Sequence, residues 1–204
     1  MDPLALALFA GVYFAAVASP GPGIAAVVAR VMARGLAGAP AFVLGFVVGD
    51  LIWFTIAATG LAVIARNFEM LFLAIKYVGA AYLLYLAWRI WTAPVTTTEI
   101  AADPSVKGQV AAFFGGLMVT LGNPKVIVFF LSIMPIVVDL QAITPEIFAQ
   151  MALVIACVIG PVMMGYALLA ERARRLFHSA RALKNINRGT AAIMAGAAAL
   201  IAAR

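Results

Sequence analysis

Residues 15–28 read Ala-Ala-Val-Ala-Ser-Pro-Gly-Pro-Gly-Ile-Ala-Ala-Val-Val, an apolar run with two prolines and two glycines in five central positions. Proline removes a backbone donor and clashes with the carbonyl four residues back, and glycine adds backbone freedom. A helix running through residues 4–28 is therefore predicted to break at Ser19-Pro20-Gly21-Pro22-Gly23. A second break is predicted at Gly122-Asn123-Pro124-Lys125, inside the apolar run 109–138. The carbonyls and amides freed at such breaks need partners in protein or water, because lipid offers none.

The rest of the chain supplies that lipid setting. Of 204 residues 66% are hydrophobic and 11% charged, with a mean hydropathy of +1.10. A soluble domain is nearer half apolar and a quarter charged. The reading is an integral membrane protein with spans at about 4–28, 38–65, 68–92, 109–138, 147–170 and 189–203, where a membrane helix needs about 20 residues. No room is left for a separate soluble catalytic domain, so an enzyme is not expected. One cysteine, Cys157, excludes an intramolecular disulfide, and one histidine, His178, argues against a His/Cys metal cluster. Neither a metal nor a cofactor is expected.

Ten of the 14 Lys and Arg fall in alternate loops: Arg30, Arg34, Arg89, Lys107 and the run from Arg172 to Arg188. Positive loops stay in the cytoplasm, so both termini are expected on the periplasmic side, with Trp88 and Trp91 at the inner interface. This placement accounts for the net charge of +6 without nucleic acid, although 171–188 also reads as an amphipathic segment on anionic lipid. Three spans (residues 1–92), a cytoplasmic linker (93–108) and three more spans (109–204) make two halves of opposite orientation. The fold class is thus all-α polytopic membrane protein, with six transmembrane helices as two inverted three-helix repeats and broken helices 1 and 4. Inverted repeats build many secondary transporters, whose sites lie where helices break at the midplane.

A half-helix starting after Pro22 carries unpaired N–H groups and a positive dipole end into the membrane. Asn123 is suited to cap a second one starting at Pro124. Two such ends converging would hold an anion, most simply a carboxylate, with Lys125 adding a full charge. The plain alternative is that the prolines are packing kinks and that Lys125 snorkels. Asp50, in Gly45-Phe-Val-Val-Gly-Asp50, is a carboxyl deep in the second span, where a charge costs about 3 kcal/mol on insertion scales. It is suited to pair with Lys125, to take a substrate ammonium or to carry a coupling proton; a structural ion pair or a hydrogen bond to a neighbouring helix is the other reading. Tyr82 and Tyr85 could line the path, or simply pack. Gly45, Gly49, Gly115 and Gly116 have the small-residue spacing that lets membrane helices approach.

Pro20-Gly21-Pro22, Gly35, Gly45, Gly49-Asp50, the stretch Lys76-Tyr-Val-Gly-Ala-Ala-Tyr82-Leu and Asn123-Pro124-Lys125, in this order and spacing, resemble the LysE/RhtB family of amino-acid exporters. The likeness runs from about residue 15 to 135 and weakens in the alanine-rich last span. It implies a bacterial inner-membrane exporter that moves amino acids or close derivatives outward in exchange for protons. On that view Pro20, Gly21, Pro22, Gly23, Asp50, Tyr82, Asn123, Pro124 and Lys125 bind the substrate, and Asp50 couples the proton. The expected partners are an amino acid, protons and the lipid bilayer, and a homo-oligomer is allowed. A thiol-disulfide carrier fails on counting, since it needs two thiols. A non-transporting subunit or assembly factor is the competing class.

Overall fold

The computed structural model describes residues 2–59, 81, 84, 85, 88, 91, 92, 105–134, 138, 143–176, 188, 189, 191, 192, 195, 196 and 199. All regular structure among them is helical. Helices α1 (Pro3–Ala18) and α2 (Pro22–Arg34) flank the first break, and α3 (Ala39–Ala58) follows a turn through Gly35 and Gly38. Both of these glycines have positive φ, 66° and 72°, a region open to glycine at little cost. Helix α4 (Val106–Leu121), capped by the Ser105 hydroxyl, ends at the second break. A short α5 (Pro124–Val128) then runs into a π-helical turn, Phe129–Ile133. Helix α6 (Pro145–Leu176) carries Pro161 in its interior.

Helices α3 and α6 are each long and apolar enough to cross a membrane, and the bent pairs α1–α2 and α4–α5 bring the number of candidate spans to four. Both pairs bend by 54°. The expected spans at 68–92 and 189–203 lie mostly outside the described residues. Of their described positions, 81, 84, 85, 88 and 91 and 189, 191, 192, 195, 196 and 199 are helical, and 92 is a bend. Two boundaries differ from the sequence reading. Helix α2 continues to Arg34, because nothing between Gly23 and Arg34 interrupts the ladder, so Arg30 is helical rather than in a loop. Helix α6 likewise extends to Leu176, taking in the first basic residues after its apolar stretch.

Apolar side chains face both ways, as a membrane helix requires. Phe9, Phe46, Phe54, Phe130, Met151, Ile155 and Ile159 are buried, while Leu4, Leu8, Phe14, Leu153, Leu168 and Leu169 are exposed. Lipid is as apolar as leucine, so close packing and interhelical hydrogen bonds hold the bundle. The tightest approach joins α3 to α4. A Cβ on Gly45 would collide with the backbone of Phe113 and Leu117, and one on Gly116 with the Phe42 carbonyl. One turn on, a Cβ on Gly49 would stand 2.7 Å from Thr120 Cγ2. Gly45→Ala is accordingly expected to force the crossing apart and cost about 1–3 kcal/mol, lowering the unfolding midpoint in detergent. Gly11→Ala, whose Cβ meets nothing within 4 Å, is the matched control and should leave the midpoint unchanged.

Several basic side chains contact other segments. Arg174 lies against Gly35, and Arg30 against Gly38 and over the Phe42 ring. Arg188 stacks on Trp91 at 5.3 Å. These are residues that the charge pattern assigns to one side of the membrane.

Candidate functional site

Each break leaves the end of a helix with unpaired backbone groups, and the partners of those groups define the site. At the end of α1 the carbonyls are taken up in turn. The Ser19 amide and hydroxyl donate to Ala15 and Ala16 at 3.2 and 3.0 Å. The Tyr166 hydroxyl of α6 donates to the Ala18 carbonyl at 2.9 Å. The Lys125 ammonium, from the second break, donates to the Ser19 carbonyl at 2.5 Å. A cation at a helix C-terminus complements the dipole. Lys125 thereby spans both interruptions, its stem 3.4 Å from where a Gly21 Cβ would stand.

The beginning of α2 is different. Its N-cap is Gly21, which offers no side-chain acceptor, and the first backbone bond closing on the cap comes from Ala25 to the Gly21 carbonyl at 3.0 Å. The Gly23 and Ile24 amides precede that bond and have no turn below them to donate to. The beginning of α5 is closed by its own cap. Asn123 Oδ1 accepts from the Lys125 amide at 3.1 Å, and the Asn123 carbonyl accepts from Val126 and Ile127. The two breaks thus contribute unequally. Helix α2 offers open amides, while α5 offers the Asn123 side chain, whose Nδ2 lies 3.5 Å from the position of a Gly23 Cβ. With Oδ1 held by the Lys125 amide, Nδ2 is turned toward α2.

Asp50 approaches from α3 and is 1% exposed. Its Oδ2 accepts the Tyr13 hydroxyl at 2.5 Å, and its Oδ1 has no hydrogen-bond partner among the described residues. Asp50 and Lys125 form no ion pair among those residues, whereas Glu171 and Arg174 do, at 3.6 Å. Asp50 is thus not paired with Lys125; the geometry shows the structural alternative, a carboxyl hydrogen-bonded to a neighbouring helix, with one oxygen left over. A buried carboxyl oxygen without a donor is costly, so Oδ1 is a ready acceptor for a cation.

These groups share one cavity of about 440 Å³, counting its open part. Gly21, Gly23, Asn123, Lys125, Asp50 and Tyr13 supply its polar lining, and Phe46, Phe129, Phe130, Ile159 and Met163 are among its apolar walls. Five of the nine residues singled out in the sequence therefore line it: Gly21, Gly23, Asp50, Asn123 and Lys125. Pro20, Pro22 and Pro124 shape the breaks without lining the cavity, and Tyr82 lies outside the described residues, as does Lys76. Tyr85 is half exposed. Tyr13 and Tyr166 enter the site without a sequence signal beyond being tyrosines in apolar helices. Among the described residues no cluster of His, Cys, Asp and Glu could hold a metal ion.

Interrupted apolar helices thus surround a cavity with one acid, one base and open amides, the arrangement of a membrane protein with a polar site between its helices. The LysE type translocator model matches residues 14–204, and the chain belongs to that family. A leucine efflux protein of Salmonella typhimurium is 34% identical over 123 residues, which are 60% of this chain and 58% of that one. The uncharacterized membrane protein YahN of Escherichia coli is 31% identical over 182 residues, covering 87% and 81% of the two chains. An uncharacterized membrane protein of Synechocystis is 33% identical over 129 residues, 63% and 62%. The matches to the leucine efflux and Synechocystis proteins thus span about three fifths of those relatives' length. No solved structure matches the chain.

Proposed function

We propose that this chain exports amino acids with apolar side chains across the bacterial inner membrane in exchange for protons. The observation that carries this reading is that residues of both breaks and Asp50 line the same cavity. The substrate carboxylate is received by the Gly23 and Ile24 amides, Asn123 Nδ2 and the Lys125 ammonium, where a helix N-terminus and a cation favour an anion. The ammonium goes to Asp50 Oδ1. The acid and the base of the cavity are then both engaged, and Phe46, Ile159 and Met163 remain for the side chain. A charged side chain would be left without a partner there. The name of the leucine efflux relatives agrees with an apolar cargo. The two three-helix halves, 1–92 and 109–204, form inverted repeats that rock about this cavity, with both termini periplasmic.

The test is growth on a panel of toxic dipeptides in a host lacking its own exporters. Expression should relieve the toxicity of leucine- or isoleucine-containing peptides and not of lysine- or glutamate-containing ones. Relief confined to charged residues would sink the apolar assignment, and relief of none would sink export. Orientation is read separately in a Cys157→Ser background. A cysteine at position 103 should be labelled only from the cytoplasm and one at 142 only from outside; the reverse pattern overturns the topology.

A further inference from the structure

The cavity is tightest around Gly23. A Cβ built there would stand 3.0 Å from Phe46 Cε1, 3.5 Å from Asn123 Nδ2 and 3.7 Å from the terminal methyl of Met163. The Phe46 and Met163 atoms are therefore no further apart than the first and last of those distances laid end to end. A carbon group between two carbon walls needs about 7–8 Å, twice the contact distance, so the two side chains stand too close to admit one. Both line the cavity, as does Gly23. A substrate carboxylate on the Gly23 amide brings the rest of the molecule beside this gap, and one wall has to give way.

The walls differ in what they can do. Phe46 is buried and sets its ring edge-on to that of Phe42, with centroids 5.3 Å apart. Phe42 is fixed in turn, because its carbonyl meets Gly116 at the tight crossing of α3 and α4. Ile159, one turn before Met163 on α6, is buried and branched at Cβ, which restricts its χ1. Met163 is also buried, but it is unbranched and rotates along its length, the property that lets methionine fill irregular gaps. It is the wall that yields.

We propose that Met163 is the specificity-determining residue of the cavity: the length of its side chain sets the largest apolar group that the site accepts. Cutting it back to Cβ removes Cγ, Sδ and Cε, as many heavy atoms as a phenyl group has beyond an isopropyl group. Leucine and phenylalanine carry those two groups on the same methylene, so the pair measures the limit directly. That leucine falls inside the limit rests on the amino-acid export reading; the dependence on residue 163 does not.

L-Leucine and L-phenylalanine are titrated calorimetrically into detergent-solubilised protein, and both are followed in counterflow across proteoliposomes. The wild type should bind leucine at least about tenfold more tightly than phenylalanine, the worth of one misfitted methylene in an apolar pocket. In Met163→Ala the order should reverse, phenylalanine gaining and leucine losing by about tenfold or more. Met163→Leu conserves volume and should keep the wild-type order. Where Met163→Ala does not fold, Met163→Val is the smaller cut and should shift the ratio the same way. An equal loss of both ligands in the shortened variant is what a merely structural methionine gives, and it overturns the proposal, as does a wild type that binds the two alike. A reversed binding preference with no counterflow of either amino acid sinks the export reading and retains the assignment of Met163. Counterflow of leucine with an unaltered preference does the opposite. If neither amino acid is bound or moved by the wild type or its variants, both fall.

Discussion

Asp50→Asn is expected to reduce proton-driven leucine flux in proteoliposomes to background while the protein stays folded. Two losses combine. The amide cannot take up a proton, so no exchange is possible, and the substrate ammonium loses a charge-assisted contact worth about 10–100-fold in affinity. The substitution keeps the shape of the side chain and an acceptor for the Tyr13 hydroxyl, so α1 and α3 remain joined where Tyr13 meets Asp50. Stability should move the other way from activity. In the wild type a carboxyl that is 1% exposed has one oxygen without a donor, an arrangement that costs the fold. Replacing the carboxyl by an amide of the same shape should leave the unfolding midpoint level or raise it. Flux at the wild-type rate would take Asp50 out of the mechanism, and a collapse of folded protein would mean that its role is structural.

What the sequence discloses and what it hides divide by range. Both interruptions are local events. The proline and glycine density at 19–23 and the Asn-Pro pair at 123–124 fix them, and the helices part at those points with equal bends of 54°. The close crossing of α3 and α4 follows from Gly45, Gly49 and Gly116 for the same reason, since absence of a side chain is visible in one chain. The wiring of the site is not local. Tyr13 and Asp50 are 37 residues apart, Tyr166 and Ala18 are 148 apart, and Lys125 and Ser19 are 106 apart. No periodicity of an almost wholly apolar helix says which face a lone tyrosine takes. Asn123 shows the limit most clearly. Its suitability as an N-cap is readable, yet the consequence, that it uses up the amides of α5 and turns its own Nδ2 toward Gly23, depends on where α2 begins in space.

Lys125→Met should raise the leucine KM by about 10–100-fold, the worth of charge-assisted hydrogen bonds to a carboxylate, and lower the unfolding midpoint as well. The ammonium has three donors. One is spent on the Ser19 carbonyl, where it satisfies the end of α1, and no other bond of the ammonium is made among the described residues, in a side chain that lines the cavity. Methionine retains the stem against Gly21 but leaves the Ser19 carbonyl without that donor, a loss of about 1–3 kcal/mol. Clamp and ligand can be told apart with isoamylamine, a primary ammonium with a leucine-like tail. Isoamylamine has no carboxylate, so a ligand role leaves its affinity near the wild-type value while leucine binding falls. A pure clamp role predicts that both fall together, because the cavity itself would deform. Equal losses for amine and amino acid would therefore remove Lys125 from substrate recognition and leave the open amides of α2 and Asn123 as the carboxylate site.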